Sequence, residues 1–169
     1  GSAGIGSGGH LSGEMLKIYT GIDVVHAPYR GASPASTALA AGDVDFAFIA
    51  QITARELMLA NKIRILAVTS KVRSPLLPNI PTMQEVGLKD FEFNNWFGLI
   101  ASAKTPNEIV NKLSNSLREV LRDPELRKKL TSDGSEIVVD TPEQFTKFLS
   151  DDSKRWGPLI QQIGLKGED

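Results

Sequence analysis

The sequence predicts an α/β fold in which helices cover both faces of a sheet. Mostly apolar runs at 23–27, 44–50 and 63–69 have the composition of strands that are buried on both faces. Segments with helical spacing of apolar residues separate these runs, and glycine or proline stands at the junctions. Strands that alternate with helices in this way are typical of α/β proteins.

Composition narrows the class of protein. The chain has 169 residues, 41% of them hydrophobic, and a formal net charge of −1. These values fit a globular protein and do not indicate a nucleic-acid partner. The chain has no cysteine, which excludes disulfides, thiolate metal sites and a cysteine nucleophile. No stretch approaches the roughly 20 apolar residues of a membrane span.

Capping residues place the first two helices. Ser7 is the predicted N-cap of a helix over 9–19, and Gly21 is suited to its carboxyl end. Ser33 is the predicted cap of a second helix, with Pro34 at its first position and Gly42 at its end. Further helices are predicted at 52–60, 82–87, 106–122, 124–132 and 142–163, and further strands at 91–101 and 134–139.

The carboxy-terminal helices also carry start signals. Thr105 with Glu108, and Thr141 with Gln144, have the spacing of capping boxes, and Asp123 precedes a proline. After residue 98 the pattern is mostly helical with one strand, which is too little sheet for a complete α/β domain. The aromatic residues before this change are expected in the core: Phe91, Phe93, Trp96 and Phe97.

The glycine-rich start, residues 1–10, is the main chemical feature. Such a loop exposes backbone N–H groups, and the helix that follows adds the positive end of its dipole. Together they predict an anion site without a charged side chain; the alternative is a flexible tail. His10 could reach a ligand or fix the loop, and His26 is interpreted as a packed or edge residue.

Nucleotide, metal and catalytic sites are not supported by the motifs. Gly4, Gly6 and Gly9 match G-x-G-x-x-G, but the next strand ends in Ala27-Pro28 and not in the acidic residue that holds a ribose. No phosphate-binding G-x-x-x-x-G-K-[ST] loop occurs. Only two histidines are present, with no adjacent carboxylate cluster, so we expect no metal and no catalytic residues. The loop 28–31 follows a strand, where α/β sheets bind ligands.

Several blocks resemble the receptors of tripartite tricarboxylate transporters (the Bug-type periplasmic binding proteins). The first matches to the family signatures are residues 2–7 with His10-Leu11, residues 26–31 and residues 66–70. A proline-rich block follows, made of Arg73-Ser74-Pro75, residues 78–82, Glu85 and Gly87-Leu88. The last matches are residues 96–99, residues 105–106 and Trp156.

The resemblance implies a type II periplasmic-binding-protein fold, a two-lobed Venus flytrap. We expect residues 1–96 to be the complete second lobe, and residues 97–169 to be the crossover strand and the carboxy-terminal part of the first. The amino-terminal part of the first lobe, and an export signal, are expected only in a longer protein.

The resemblance also implies the site. A carboxylate is expected at the second lobe, where nine residues stand at ligand-binding positions: Ser2, Ala3, Gly4, Gly6, Ser7, His10, Tyr29, Gly31 and Ala50. Many family members carry an Asp-Asn pair where this chain has 49–51, Ile-Ala-Gln, so the polar role of that loop is in question.

The implied function is that of a periplasmic solute-binding protein and not of an enzyme. It would capture a small carboxylate (a di- or tricarboxylate, an amino acid or an aromatic acid) and deliver it to membrane permease subunits. No cofactor, nucleic-acid partner or membrane insertion is expected. The alternative is the effector-sensing domain of a regulator or sensor that binds a small organic anion.

Overall fold

The structure, a computed structural model, describes residues 1–132 and 134–165. Six helices occur in the described residues: α1 Gly8–Thr20, α2 Ala32–Ala41, α3 Gln51–Leu59, α4 Asn107–Val120, α5 Pro124–Leu130 and α6 Pro142–Gln162. All six lie within two residues of predicted helices. The seventh predicted helix, 82–87, is wrong, because this segment forms a turn: Thr82 is bridged to Val68, and Gly87 has a φ of 105°.

None of the predicted strands forms a hydrogen-bonded ladder among the described residues. The segments at 23–27, 44–50, 63–69, 91–101 and 134–139 form no strand, and only two isolated parallel bridges occur, Ser2 with Pro28 and Val68 with Thr82. A ladder needs successive hydrogen bonds between neighbouring strands. These segments share single ones, such as the bond from the Phe93 N–H to the Thr69 carbonyl at 3.0 Å.

The chain divides into two compact units. Unit 1 holds Gly1–Asn95 together with the chain from Ile163, and unit 2 holds Trp96–Gln162. The assignment of 1–96 and 97–169 to two lobes stays a prediction.

The caps of the first two helices differ from each other. Ser7 is the N-cap of α1, and Gly21 ends it in the left-handed conformation, as predicted. Ser33 is not a cap: α2 begins at Ala32 after Gly31, which makes no side-chain cap bond. Pro34 therefore occupies the third helical position, which costs nothing because the first four N–H groups of a helix have no intrahelical partner.

The caps of unit 2 were predicted in two cases out of three. The Asp123 carboxylate accepts from the Leu126 N–H at 2.8 Å, and the box at Thr141 and Gln144 forms in both directions, at 2.8 and 3.2 Å. The prediction of a capping box at Thr105 is wrong, because Pro106 is the N-cap of α4 and makes no side-chain cap bond.

The core of unit 1 is centred on Phe91, whose side chain is 0% exposed. Its ring packs edge-on against Tyr19, with ring centroids 5.6 Å apart, and stacks on Phe48 at 6.0 Å. Leu11 and Met15 of α1 are buried as well. The core therefore fixes the helix whose N-terminus carries the candidate site.

The aromatic residues of unit 2 form a smaller cluster. Trp96 meets Phe145 and Phe148 edge-on, at 5.7 and 5.5 Å. The Asp152 carboxylate accepts from the indole N–H of Trp96 at 3.1 Å and from that of Trp156 at 2.8 Å. Trp96 and Phe97 were expected in the core and are 40% and 98% exposed. That expectation was wrong, because aromatic character alone does not tell which neighbours of a cluster turn outward.

An exposed ion pair closes the loop between residues 73 and 85. The Arg73 Nε donates to both carboxylate oxygens of Glu85, at 3.0 and 2.8 Å, and its Nη1 donates to the Pro78 carbonyl at 3.0 Å. Glu85 also accepts from the Thr82 N–H. Hydrogen bonding to Arg73 holds the pKa of Glu85 below its usual value. The proline-rich loop between residues 73 and 85 is thus held closed by this ion pair and its hydrogen bonds.

Candidate functional site at the start of helix α1

Ser2 anchors the glycine-rich loop to the neighbouring backbone, and only 1% of the residue is exposed. Its N–H donates to the Ala27 carbonyl at 3.1 Å, and its carbonyl accepts from the Tyr29 N–H at 3.0 Å. The next carbonyl, of Ala3, accepts from the Gly31 N–H at 3.1 Å. These three bonds bring together the two segments that the sequence predicted for ligand binding.

Ser7 joins the loop to the helix. Its oxygen accepts from the His10 N–H at 3.4 Å, which caps α1, and its O–H donates to the Gly4 carbonyl at 2.7 Å. The Ser7 N–H donates to the same carbonyl at 3.2 Å. The loop is therefore a closed turn against the helix, and the alternative of a flexible tail is excluded for these described residues.

The Gly4 carbonyl determines where the next amide points. It faces three donor groups: the Ser7 N–H, the Ser7 O–H and the Ser2 Oγ at 3.1 Å. A trans peptide is planar, with the N–H directed opposite to the C=O. The Ile5 N–H of this peptide is therefore directed away from the buried side. It has no partner among residues 1–132 and 134–165, and the Ile5 side chain is exposed.

The helix start adds further donors. Gly8 and Gly9 are the first two residues of α1, so their N–H groups have no intrahelical partner. The positive end of the helix dipole lies at the same place. Together with Ile5, these amides can bind a carboxylate without a cationic side chain.

The geometry of the loop requires glycine at several positions, and Gly4 and Gly9 are two of them. Gly4 has a φ of 133°, and a Cβ there would lie 3.4 Å from the Tyr29 carbonyl oxygen. A Cβ on Gly9 would lie 2.7 Å from the Phe48 carbonyl oxygen, closer than real contacts allow. A side chain at either position would shift the loop, so the glycines keep the amides accessible and the turn tight.

His10 and His26 form a stacked pair beneath the loop. Their ring centroids lie 3.9 Å apart with an interplanar angle of 12°. The Gly6 N–H donates to His10 Nδ1 at 3.1 Å, and His26 Nε2 lies 2.6 Å from Ser2 Oγ. His10 therefore fixes the loop, one of the two roles that the sequence left open. Burial lowers the pKa of both imidazoles.

Three further predicted site residues lie outside the glycine-rich loop. Tyr29 is half-buried and held through its backbone, and Gly31 precedes α2 with a φ of 118°. Ala50 is exposed, and its carbonyl accepts from the N–H groups of Thr53 and Ala54 at the start of α3. A direct ligand contact by any of these residues stays a prediction.

Sequence reasoning missed the importance of His26. It was interpreted as a packed or edge residue without a role in the site, and it contacts both Ser2 and His10. No signal in the sequence could have found it, because the pairing of the neighbouring Ala27 with Ser2 is seen only in the structure. Among the described residues, no group of three or more potential ligands could hold a metal, and no helix has the length and hydropathy to cross a bilayer.

Comparison with known proteins gives consistent results. The chain matches the tripartite tricarboxylate transporter family receptor (TctC) over residues 1–165. It is 34% identical over 165 residues to a protein encoded in the tcbD–tcbE intergenic region of Pseudomonas sp. strain P51, with 97% of this chain and 49% of that protein covered. The chain thus spans about half the length of this curated relative.

Two solved structures show the fold. R. palustris Rpa4515 with adipate is 32% identical, with a TM-score of 0.87 over 95% of this chain and 54% of that one. The periplasmic binding protein BugD is 31% identical, also with a TM-score of 0.87, over 99% and 57%. The predicted fold class, a periplasmic-binding-protein fold of which this chain spans about half, is confirmed by these similarities.

Proposed function

Because the chain belongs to the tripartite tricarboxylate transporter receptor family, a family of transport substrate-binding proteins, we propose that it contributes the carboxylate-binding lobe of an extracytoplasmic solute receptor. The whole receptor would work in the periplasm and pass its ligand to membrane permease subunits. It would bind the ligand without converting it.

One observation supports this proposal most directly. The Ile5 N–H is unpaired among the described residues and belongs to a peptide whose carbonyl is held by Ser7. Three and four residues later, Gly8 and Gly9 begin a helix, where N–H groups have no intrahelical partner. Such an array suits a carboxylate, whose oxygens accept from several N–H groups at once.

The charge of the surroundings fits an anion of modest size. Of the charged side chains on α1, Glu14 and Lys17 pair with each other at 3.1 Å. Neither is therefore required for the ligand. Recognition by backbone dipoles selects for a carboxylate group and leaves the rest of the molecule to other parts of the receptor. The structure with adipate makes a dicarboxylate the natural first ligand to test.

Calorimetry with adipate tests the proposal. Adipate and hexanoate should bind, and 1,6-hexanediol, which keeps the carbon chain and lacks both carboxylates, should not. Equal heats from all three compounds would contradict carboxylate recognition.

A pair of glycine variants locates the site. Gly4→Ala should weaken adipate binding by at least about tenfold, because a Cβ at a φ of 133° is strained and displaces the Ile5 amide. Gly13→Ala is the matched control, because a Cβ there meets nothing within 4 Å. Equal affinity in the two variants would place the ligand elsewhere.

A further inference from the structure

His10, His26 and Ser2 form a cluster whose hydrogen bonds depend on which of these groups carries a proton. Ser2 is buried, and its Oγ lies 2.6 Å from His26 Nε2 and 3.1 Å from the Gly4 carbonyl oxygen. It also accepts from the Gly4 N–H at 3.2 Å. A serine has one proton, so its O–H can donate either to His26 or to the Gly4 carbonyl, but not to both.

The geometry assigns the protonation state of His10. Its Nδ1 accepts from the Gly6 N–H at 3.1 Å and must therefore carry a lone pair. The proton of the neutral ring is then on Nε2, which lies 3.9 Å from the Glu14 carboxylate. A second proton would place two donors face to face at Nδ1 and break the bond to Gly6. His10 therefore resists protonation.

His26 has no such obstacle at the nitrogen that faces Ser2. A neutral imidazole whose proton is on Nδ1 accepts the Ser2 O–H, whereas an imidazolium meets the serine oxygen only as a donor. Two imidazolium rings stacked at 3.9 Å would repel each other. The pair accordingly accepts at most one proton, and that proton goes to His26.

Protonation of this Nδ1–H tautomer of His26 changes the bonding of the loop. Its Nε2–H then donates to Ser2 Oγ, and the Ser2 O–H is left to donate to the Gly4 carbonyl. That carbonyl belongs to the peptide that carries the unpaired Ile5 N–H. Hydrogen bonds in a chain polarise one another, so a stronger bond at the carbonyl makes the Ile5 N–H a better donor.

We propose that His26 is a positioning residue of the anion site: when a carboxylate binds at the Ile5 amide, His26 takes up one proton and, through Ser2 and the Gly4 carbonyl, strengthens that amide as a donor. The proposal rests on the proposed function of the loop. It supplies the site with a cation that is favoured when the anion is present.

The charges around His26 favour the neutral ring in the absence of ligand. Burial lowers the pKa of His26, and His10, the amino group of Gly1 and Lys17 lower it further, while Glu14 raises it. An anion at the loop acts in the opposite direction to burial. Binding and protonation are therefore linked, and each favours the other.

The test is calorimetry of adipate binding between about pH 8 and about pH 6, in two buffers with different ionisation enthalpies. The affinity should rise by about threefold to tenfold as the pH falls, with uptake of a fraction of a proton that approaches one. An affinity that is independent of pH, or proton release, would overturn the proposal.

Two substitutions separate positioning from simple support. His26→Gln keeps an N–H donor and cannot titrate, so it should bind adipate with the same affinity at both pH values. His26→Phe keeps the stacking surface and lacks the donor, so it should bind weakly at both. A pH dependence that survives in His26→Gln would contradict the proposal. Tyr19→Phe, which alters only an exposed bond to the Asp90 carbonyl, is the control.

Imidazole nitrogen shifts of the free protein test the proton placement without a ligand. His10 should keep an unprotonated Nδ1 throughout, while His26 alone gains a proton as the pH falls. Protonation of His10 first would overturn the assignment. If adipate does not bind at any pH, the proposed function fails, and with it the linkage, whereas the imidazole shifts still decide where the proton goes.

Discussion

The two units bury their side chains to very different extents. Every buried apolar residue of the described chain lies in unit 1: Leu11, Met15, Ala35, Ala38, Ala54, Met83 and Phe91. The three helices of unit 2 bury no residue. Unit 1 thus has a core of its own, whereas unit 2 is held by capping bonds and by the cluster of aromatic rings around Trp96.

The difference shows which unit can position a site. The amides of a binding loop must be held to within about 0.5 Å. Ser7 caps α1, one face of which is buried, and Ser2 binds the backbone of Ala27 and Tyr29. Helix α4 instead exposes a stripe of apolar residues: Ile109, Leu113, Leu117 and Val120. Exposed apolar surface of this kind is available for association.

The largest expected effect is on the association state. We expect the 169-residue chain to self-associate through the stripe on α4. Burial of apolar surface between two copies contributes a favourable free energy of about 25 cal/mol per Å². Light scattering across a dilution series should show a mass that rises with concentration. Leu113→Glu should lower that mass, whereas Asn115→Glu, on the opposite side of the helix, should not. A monomer at every concentration would contradict this expectation.

The second-largest expected effect is the loss of unfolding free energy when an aromatic ring is removed from the core. Phe91→Ala should lower the free energy of unfolding by about 3–5 kcal/mol, because the side chain is fully buried among aromatic neighbours. Phe97→Ala removes the same ring at a site that is 98% exposed and should change that free energy by less than about 0.5 kcal/mol. Urea denaturation measures both. Similar losses for the two variants would refute the contrast between the units.

Removal of a helix cap gives a smaller effect. Ser7→Ala should cost about 1 kcal/mol of unfolding free energy, since it removes the cap of α1 and a donor to the Gly4 carbonyl. Thr105→Ala, at a position predicted to cap α4 but without a side-chain cap bond, should cost only a few tenths. A larger loss from Thr105→Ala would show that its box forms after all.

The smallest effect concerns pH. Burial lowers the pKa of His10 and His26 in the folded protein, so the unfolded chain binds protons first as the pH falls. Stability should be constant above the ordinary histidine range, about pH 6.5, and should decrease as the pH falls through that range. Urea midpoints at a series of pH values measure this. Stability that rises on acidification would contradict the assigned directions.

Local signals in the sequence predicted the helices well and the extended segments badly. The serine, glycine and aspartate at the ends of α1 and α5 act through bonds to residues three or four positions away, so their effect can be seen in sequence. Strand pairing depends on distant segments, and the runs at 44–50 and 63–69 give no sign of whether a partner lies alongside.

The site shows the same limit. The glycine-rich loop and its cap were predicted, because both lie within ten consecutive residues. The contact of His26 with Ser2 joins residues 24 positions apart and could not be predicted without the bridge between Ser2 and Pro28. The exposure of Phe97 was missed because hydrophobic character does not specify the direction of a side chain.

The most direct test of the central claim is an adipate titration followed by amide resonances of the protein. We predict that the largest shifts occur at the N–H groups of Ile5, Gly8 and Gly9, with a common dissociation constant, and that 1,6-hexanediol leaves them unchanged. Shifts confined to other parts of the chain, with these three amides unaffected at saturation, would contradict the carboxylate site at the start of α1.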